Sequence, residues 1–419
     1  MNAFSNLRPR FWLCCCGLLL AVIASSAADW PQWRGPTRDG QVTGTHWPSS
    51  LKGESLKQLW RAELSPSYSG PIVVSNFVFT TETKDKRVEI VRAFNRATGQ
   101  ALWQAEWAGA ISVPFFAKAN GDWIRSTPAC DGQRLYVAGM RDVLVCLAVQ
   151  DGKELWRYDF VKELQTPPPS FGFVCSPLLD DGHVYVQAGA SFVKLEARTG
   201  KLVWRTLTDG GGMYGSAFSS PSIATLDGVR QLLVQSRSKL AGVSLVDGAV
   251  LWSQATEATQ GMNILTPVAY SNIVFTSTYG GKTIGFRVQR SADQWQVAPA
   301  WTHKAQGYMT TPVVIGGIAY TQLRSQRAMA IDLLSGKELW TTSESFGKYW
   351  SLVAQGQKVL ALDERGTLYL FNARPEKFDL LDSRKISAAE SWAHLAVCGD
   401  ELFVRELNAL VAYRWSSAP

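Results

Sequence analysis

The chain has few of the residues that most often carry out chemistry. Of 419 residues four are His and seven are Cys, and charged residues make up only 18%. Neither Gly-x-Ser-x-Gly nor His-Glu-x-x-His occurs, and Y-G-G-K-T (279–283) ends like a phosphate loop but has Thr276 where the first Gly belongs. His46, His183, His303 and His394 lie far apart in sequence, and a lone His is more often structural than catalytic. The net charge of +7 is scattered, with no block of five like charges, which argues against nucleic-acid binding. A membrane-spanning run of roughly 20 apolar residues is also lacking.

The short apolar run at 11–23 follows Arg8 and Arg10 and precedes the small residues 24–28. That order predicts a signal peptide over 1–28, cleaved after Ala27 or Ala28, and a periplasmic or secreted mature chain. Cys14, Cys15 and Cys16 leave with it. Cys130, Cys146, Cys175 and Cys398 remain, each in an apolar strand-like run at spacings that match no zinc pattern. They read as buried small hydrophobes, with a single disulfide as the alternative.

What the chain has in quantity is Trp and Gly, 17 and 35 of them. The hairpins LEARTGKLVW (195–204) and IDLLSGKELW (331–340) recur as variants ending at Trp103, Trp156 and Trp252. Each is a strand, a Gly turn that accepts positive φ, and a second strand ending in Trp. Trp60, Trp103, Trp156, Trp204, Trp252, Trp301 and Trp340 follow at intervals of 43, 53, 48, 48, 49 and 39, the period of one four-stranded propeller blade. These seven are expected to dock each blade on its neighbour, and Trp204 and Trp340 to be buried there.

A second pattern marks each blade's inner strand, a small residue and Pro before an apolar run, as in STPACDGQRLYVAG (126–139) and TTPVVIGGIAYTQ (310–322). Pro is tolerated where no ladder bond is required of it. Eight copies are present, two of them worn. The last lacks an outer strand while LKQLWRAEL (56–64) precedes any inner one, so joining the two closes the ring without a free edge. The expected fold is an all-β, eight-bladed β-propeller over 56–415, preceded by an extended segment (29–55) and followed by a short tail (416–419). In the seventh blade Leu380–Leu381 stands where Trp is expected.

The Gly-Lys-x-x-Trp hairpins, the Ser/Thr-Pro strand starts, the count of eight and the opening DWPQWRGPTRDGQ (29–41) resemble the pyrroloquinoline-quinone-like propeller family. The resemblance implies the fold and leaves two functions open, since activity sits on sites grafted onto folds. Some members are quinone-dependent alcohol or sugar dehydrogenases. Others are non-catalytic exported proteins, such as an outer-membrane assembly lipoprotein. The enzymes carry adjacent disulfide-bonded cysteines and a calcium held by Glu, Asn and Asp. Here adjacent cysteines occur only in the leader. The entrance acids Asp122, Asp209, Glu257, Glu344 and Glu390, with Asn120 and Asn263, fall on different blades, whereas calcium wants six to eight oxygens at one point.

The preferred reading is therefore a monomeric, non-enzymatic interaction scaffold without cofactor or metal, binding a protein, peptide or glycan partner at the cell envelope. The alternative is an oxidoreductase with pyrroloquinoline quinone and calcium. The loops entering the inner strands share one face and are rich in aromatics, and loops on a rigid scaffold commonly carry function. The candidate binding face comprises Tyr68, Trp123, Arg125, Phe171, Tyr214, Asn263, Tyr308, Tyr349, Trp392 and His394.

Overall fold

The Gly turns fold each repeat into paired hairpins, and eight such units close on themselves. The structure, a computed structural model, describes Met1 and residues 29–44, 47–212 and 217–416, so residues 2–28 of the predicted signal peptide and the final three residues lie outside the described residues. Eight four-stranded antiparallel sheets form the blades of a β-propeller. Blades 1 to 7 span 72–108, 129–159, 178–206, 222–255, 268–303, 313–341 and 350–385. Blade 8 combines 396–415 with the N-terminal strand Leu56–Glu63, which runs antiparallel to Ala409–Trp415 with Leu56 opposite Trp415 and Glu63 opposite Ala409.

This closing seam is tied by charge as well as by strand pairing. Arg96 of blade 1 bonds Glu401 of blade 8 at 2.5 Å with both side chains buried. The buried Arg405 donates to the Ser65 carbonyl at 2.6 Å. Elsewhere burial is high in the middle strands of the blades and low in the outer ones. The third strand of blade 2, Val143–Ala148, is almost wholly buried, whereas the outer strand of blade 1, Ala101–Ala108, is mostly exposed.

Between the third and outer strands the register slips in all eight blades. The repeated Trp residues stand at this slip, as Trp103 opposite Ala93 and Trp156 opposite Cys146 do. A bulge re-aims the side chain at its shoulder, here toward the next blade. The indoles of Trp60, Trp103, Trp156, Trp204 and Trp301 lie against Gly99, Gly152, Gly200, Gly248 and Gly336, where an added Cβ would come within 2.7 Å of a ring atom. Those five glycines also have φ between 71° and 76°. The Gly of each hairpin is thus fixed twice, by the turn and by the ring of the preceding blade.

Four of these indoles donate to a backbone carbonyl of the next blade's outer hairpin: Trp60 to Arg96 at 2.9 Å, Trp103 to Val149 at 2.8 Å, Trp156 to Ala197 at 3.1 Å and Trp301 to Leu333 at 2.8 Å. Trp340 does the same to Arg374 at 2.8 Å. Trp252 packs with Val274, Phe286 and Val288 of blade 5 but turns its N–H back to Gln231 of its own blade at 2.6 Å. Blade 5 explains this, because its outer hairpin turns at Ala292–Asp293 and offers no Gly seat.

Two expectations need correction. Trp204 and Trp340 are half-buried rather than buried, because the outer strands that carry them face solvent on one side. In blade 7 the residue at the Trp place is Asp382, opposite Leu370, rather than Leu380 or Leu381. Its carboxylate accepts from the Ser50 hydroxyl at 2.7 Å and the Leu51 amide at 2.8 Å. The segment leading into the closing strand is therefore held where an indole would otherwise sit.

Candidate functional site

Two regions of the ring gather chemistry: the central channel and the face made by the entrance loops. The channel is plugged by residues 29–42. Trp30 exchanges two backbone bonds with Val73 of blade 1, Pro31 accepts from Cys130 of blade 2 at 2.8 Å, and the Gln32 side chain accepts from Leu179 of blade 3 at 3.1 Å. The chain then leaves the wall, coils across the axis, and rejoins it where Gln41 donates to Val314 of blade 6 and Val42 to Ala354 of blade 7. The coil is tight, with Arg34, Gly35, Arg38 and Gly40 all at positive φ and the Gly40 amide bonded to the Arg34 carbonyl.

Two arginines of the coil anchor it to opposite walls. Arg34, 1% exposed, donates to the carbonyls of Thr311 and Pro312, and Arg38, 4% exposed, to those of Ser176 and Pro177. These carbonyls belong to the small-Pro starts of blades 6 and 3. Burial lowers the pKa of Arg34 to about 10 and that of Arg38 to about 9, and both remain cationic at neutral pH. Both guanidinium groups also lie over the Trp33 ring, at 5.6 and 5.2 Å from its centroid.

On the entrance face three aromatic groups form. Trp392 stacks on Tyr349 at 6.2 Å and meets Tyr68 at 6.1 Å, and the half-buried Trp123 and Arg125 follow in the loop beside Tyr68. Arg125 donates to the Gly121 and Trp123 carbonyls, and burial lowers its pKa. Burial raises the phenols of Tyr68 and Tyr349. Phe171 sits between Phe116 and Phe218, at 6.1 and 5.6 Å. Tyr308 packs on Tyr279 at 5.0 Å, whose ring also carries the Arg324 guanidinium at 4.4 Å.

Not every residue expected on this face reaches it. His394, 5% exposed, meets Trp33 edge-on at 5.8 Å, and burial together with Arg34 lowers its pKa to about 3. It is a neutral wall residue of the channel. Asn263, 2% exposed, spends its amide on the carbonyls of Ser236, Arg237 and Thr256 and fastens one loop to another. Tyr214 lies outside the described residues. Conversely, the most exposed rings on the face are Phe115 at 84% and Phe116 at 60%. Adjacent phenylalanines outside any strand alternation were the available sequence signal for them.

The residues present do not fit a quinone and calcium site. Cys130, Cys146, Cys175 and Cys398 are free and buried, and burial holds each thiol above its ordinary range. Among the described residues no three His, Cys, Asp or Glu side chains converge as a metal site would require. Asp122 and Glu390 are engaged locally, by the Val113 amide at 2.9 Å and the Trp392 indole at 2.9 Å.

Fold and site together define an eight-bladed propeller with a plugged axis and an aromatic loop face. A family model described as outer membrane protein assembly factor BamB matches residues 86–342, and the chain belongs to that family. It is 24% identical over 263 residues to the BamB of Moranella endobia, covering 59% of this chain and 64% of that protein. To the BamB of Yersinia pestis it is 24% identical over 296 residues, covering 65% and 71%. Among solved structures, BamB from Moraxella catarrhalis superposes with a TM-score of 0.62 at 13% identity, over 87% of this chain and 99% of that one. A europium-containing methanol dehydrogenase superposes at 0.53 with 10% identity, over 92% and 98%. These structural likenesses concern the fold alone. No helix among the described residues is long and apolar enough to cross a membrane.

Proposed function

We propose that the chain is a non-enzymatic interaction scaffold of the cell envelope, exported by its leader and presenting the entrance face to a protein partner. The carrying observation is the exposed pair Phe115 and Phe116, which continues into the half-buried Phe171 and Phe218 on loops held by a rigid ring. Exposed aromatics in one patch are the usual anchors of protein association. The half-buried trio Tyr68, Trp392 and Tyr349 extends the patch toward the channel mouth. The curated relatives are named as assembly factors, which supports this reading over the dehydrogenase one.

The test is titration of the purified chain with pyrroloquinoline quinone and calcium, followed by absorption spectra and dye reduction with alcohols and aldoses. The scaffold reading expects no stoichiometric complex and no turnover. A one-to-one complex that reduces dye would overturn it.

A further inference from the structure

The plug covers the channel wall unevenly, and the pattern follows a rule. In each inner hairpin one residue, the one before the closing pair, turns its backbone N–H and C=O toward the axis, as alternation along an antiparallel ladder requires. The plug bonds that residue in five blades: Val73, Cys130, Leu179, Val314 and Ala354. The matching residue of blade 8, Val397, is buried in a cluster with Trp30, Val42 and Trp47. The remaining two are Thr225 of blade 4 and Ala269 of blade 5. Among the described residues nothing bonds either of them from the channel side, and the inner strands Ser222–Leu226 and Val268–Tyr270 are the least buried of the inner set.

In front of these two strands the coil of the plug leaves a cavity of about 730 Å³, lined among others by Arg38, Ser222, Thr225, Ala269 and Tyr270. It opens beside Asp180, Asp227 and Asn272, on the hairpin turns opposite to the entrance loops. The two edges are held side by side, with the Ser222 hydroxyl on the Pro267 carbonyl and the Asp227 amide on the Asn272 side chain, each at 2.9 Å.

We infer that the open half of the channel, against blades 4 and 5, is a binding site for an extended polypeptide segment of a partner protein. The protein itself displays the chemistry: the consecutive residues Trp30, Pro31 and Gln32 run along the wall bonded in turn to three consecutive blades, the first two through their backbone and Gln32 through its side chain. A bound strand continues that path over the blades the plug skips, meeting the free edges of Thr225 and Ala269 as backbone partners. The site takes extended backbone rather than a particular side chain, because its wall residues Ser222, Ala224 and Ala269 are small. It lies on the opposite mouth from the entrance aromatics and stands independently of the role given to them.

The probe is a phage-displayed library of 12-residue peptides panned on the mature chain, with enriched peptides resynthesised and labelled. Anisotropy is read on the wild type, Thr225→Pro and Ala269→Pro, since proline removes the N–H and crowds the edge. Amide exchange is followed in the segments holding Thr225, Ala269, Val73 and Ala354. Expected are faster exchange at Thr225 and Ala269 in the free protein, protection there on adding peptide, and at least tenfold weaker binding by each proline variant. Tyr349→Ala and Trp392→Ala should bind the peptide normally, which separates this site from the entrance face. If proline lowers the melting temperature, Thr225→Cys carrying a bulky maleimide adduct replaces it, because the other mature-chain cysteines are buried. Equal slow exchange at all four positions, no enriched peptide, or peptides whose protection maps elsewhere would each overturn the inference.

Discussion

A single glycine in five of the outer hairpins does two jobs, and they can be separated by substitution. Gly200 has φ 73° and the Trp156 ring against it, whereas Gly132 has φ 93° and nothing within 4 Å. Gly132→Ala should cost only the left-handed strain, about 1–3 kcal/mol. Gly200→Ala should cost clearly more in denaturant melts, because the indole must also move. Equal losses would mean that the ring does not dictate the residue. Glu89 gives a second test at this scale. Burial raises its carboxyl to about 7 from an ordinary 4.5, although Met140 N–H and the Trp107 indole bond it. Between those pH values the folded state holds a proton that the unfolded state has lost, so this group's contribution to stability falls as pH rises through that window. Glu89→Gln, which has no proton to lose, should therefore improve in melting temperature relative to wild type between pH 5 and pH 8.

Among the elements, the outer strands and the plug behave differently from the inner strands. Trp156 and Trp340 seat one blade on the next while half-exposed, so Ala at either should cost about 2–3 kcal/mol, below the 3–5 usual for a fully buried Trp. Tyr349→Ala and Trp392→Ala should cost less than these. Thermal melts of the four variants check the order. In blade 7, Asp382→Ala leaves the Ser50 and Leu51 donors without their acceptor and should cost about 1–3 kcal/mol, whereas Leu380→Ala should cost about 0.5. These elements also mark the limit of sequence reading. The Gly-x-x-x-Trp period revealed blade count and strand order because each blade repeats the same physical demand. Asp382 escaped it because a carboxylate solves the seam by a different bond and leaves no trace in an aromatic pattern. The plug escaped it too, since residues 29–42 occur once, and only the folded ring shows which carbonyls Arg34 and Arg38 meet.

The whole ring is closed by its own N-terminal strand, and that closure was legible from the unmatched ends of the repeat. Deleting 29–64 removes the outer strand of blade 8, the Trp60 seat on Gly99 and the plug together. Aggregation or loss of cooperative unfolding is expected, because an uncovered strand edge templates pairing with other chains. A truncated protein that stays monomeric with unchanged melting would show that the ring does not depend on this strand. The binding face was less legible, because sequence shows which rings lie in loops and not which point outward. Tyr68, Trp392 and Tyr349 came together, His394 and Asn263 turned inward, and Phe115 and Phe116 emerged as the exposed pair. The most direct measurement of the scaffold role is quantitative capture from an envelope extract with three baits: wild type, Phe115→Ala/Phe116→Ala, and Thr225→Pro. One protein retained by wild type and by Thr225→Pro, and lost with the phenylalanine pair while melting is unchanged, is the predicted result. Undiminished capture by the phenylalanine variant would contradict the assignment of partner binding to the entrance face.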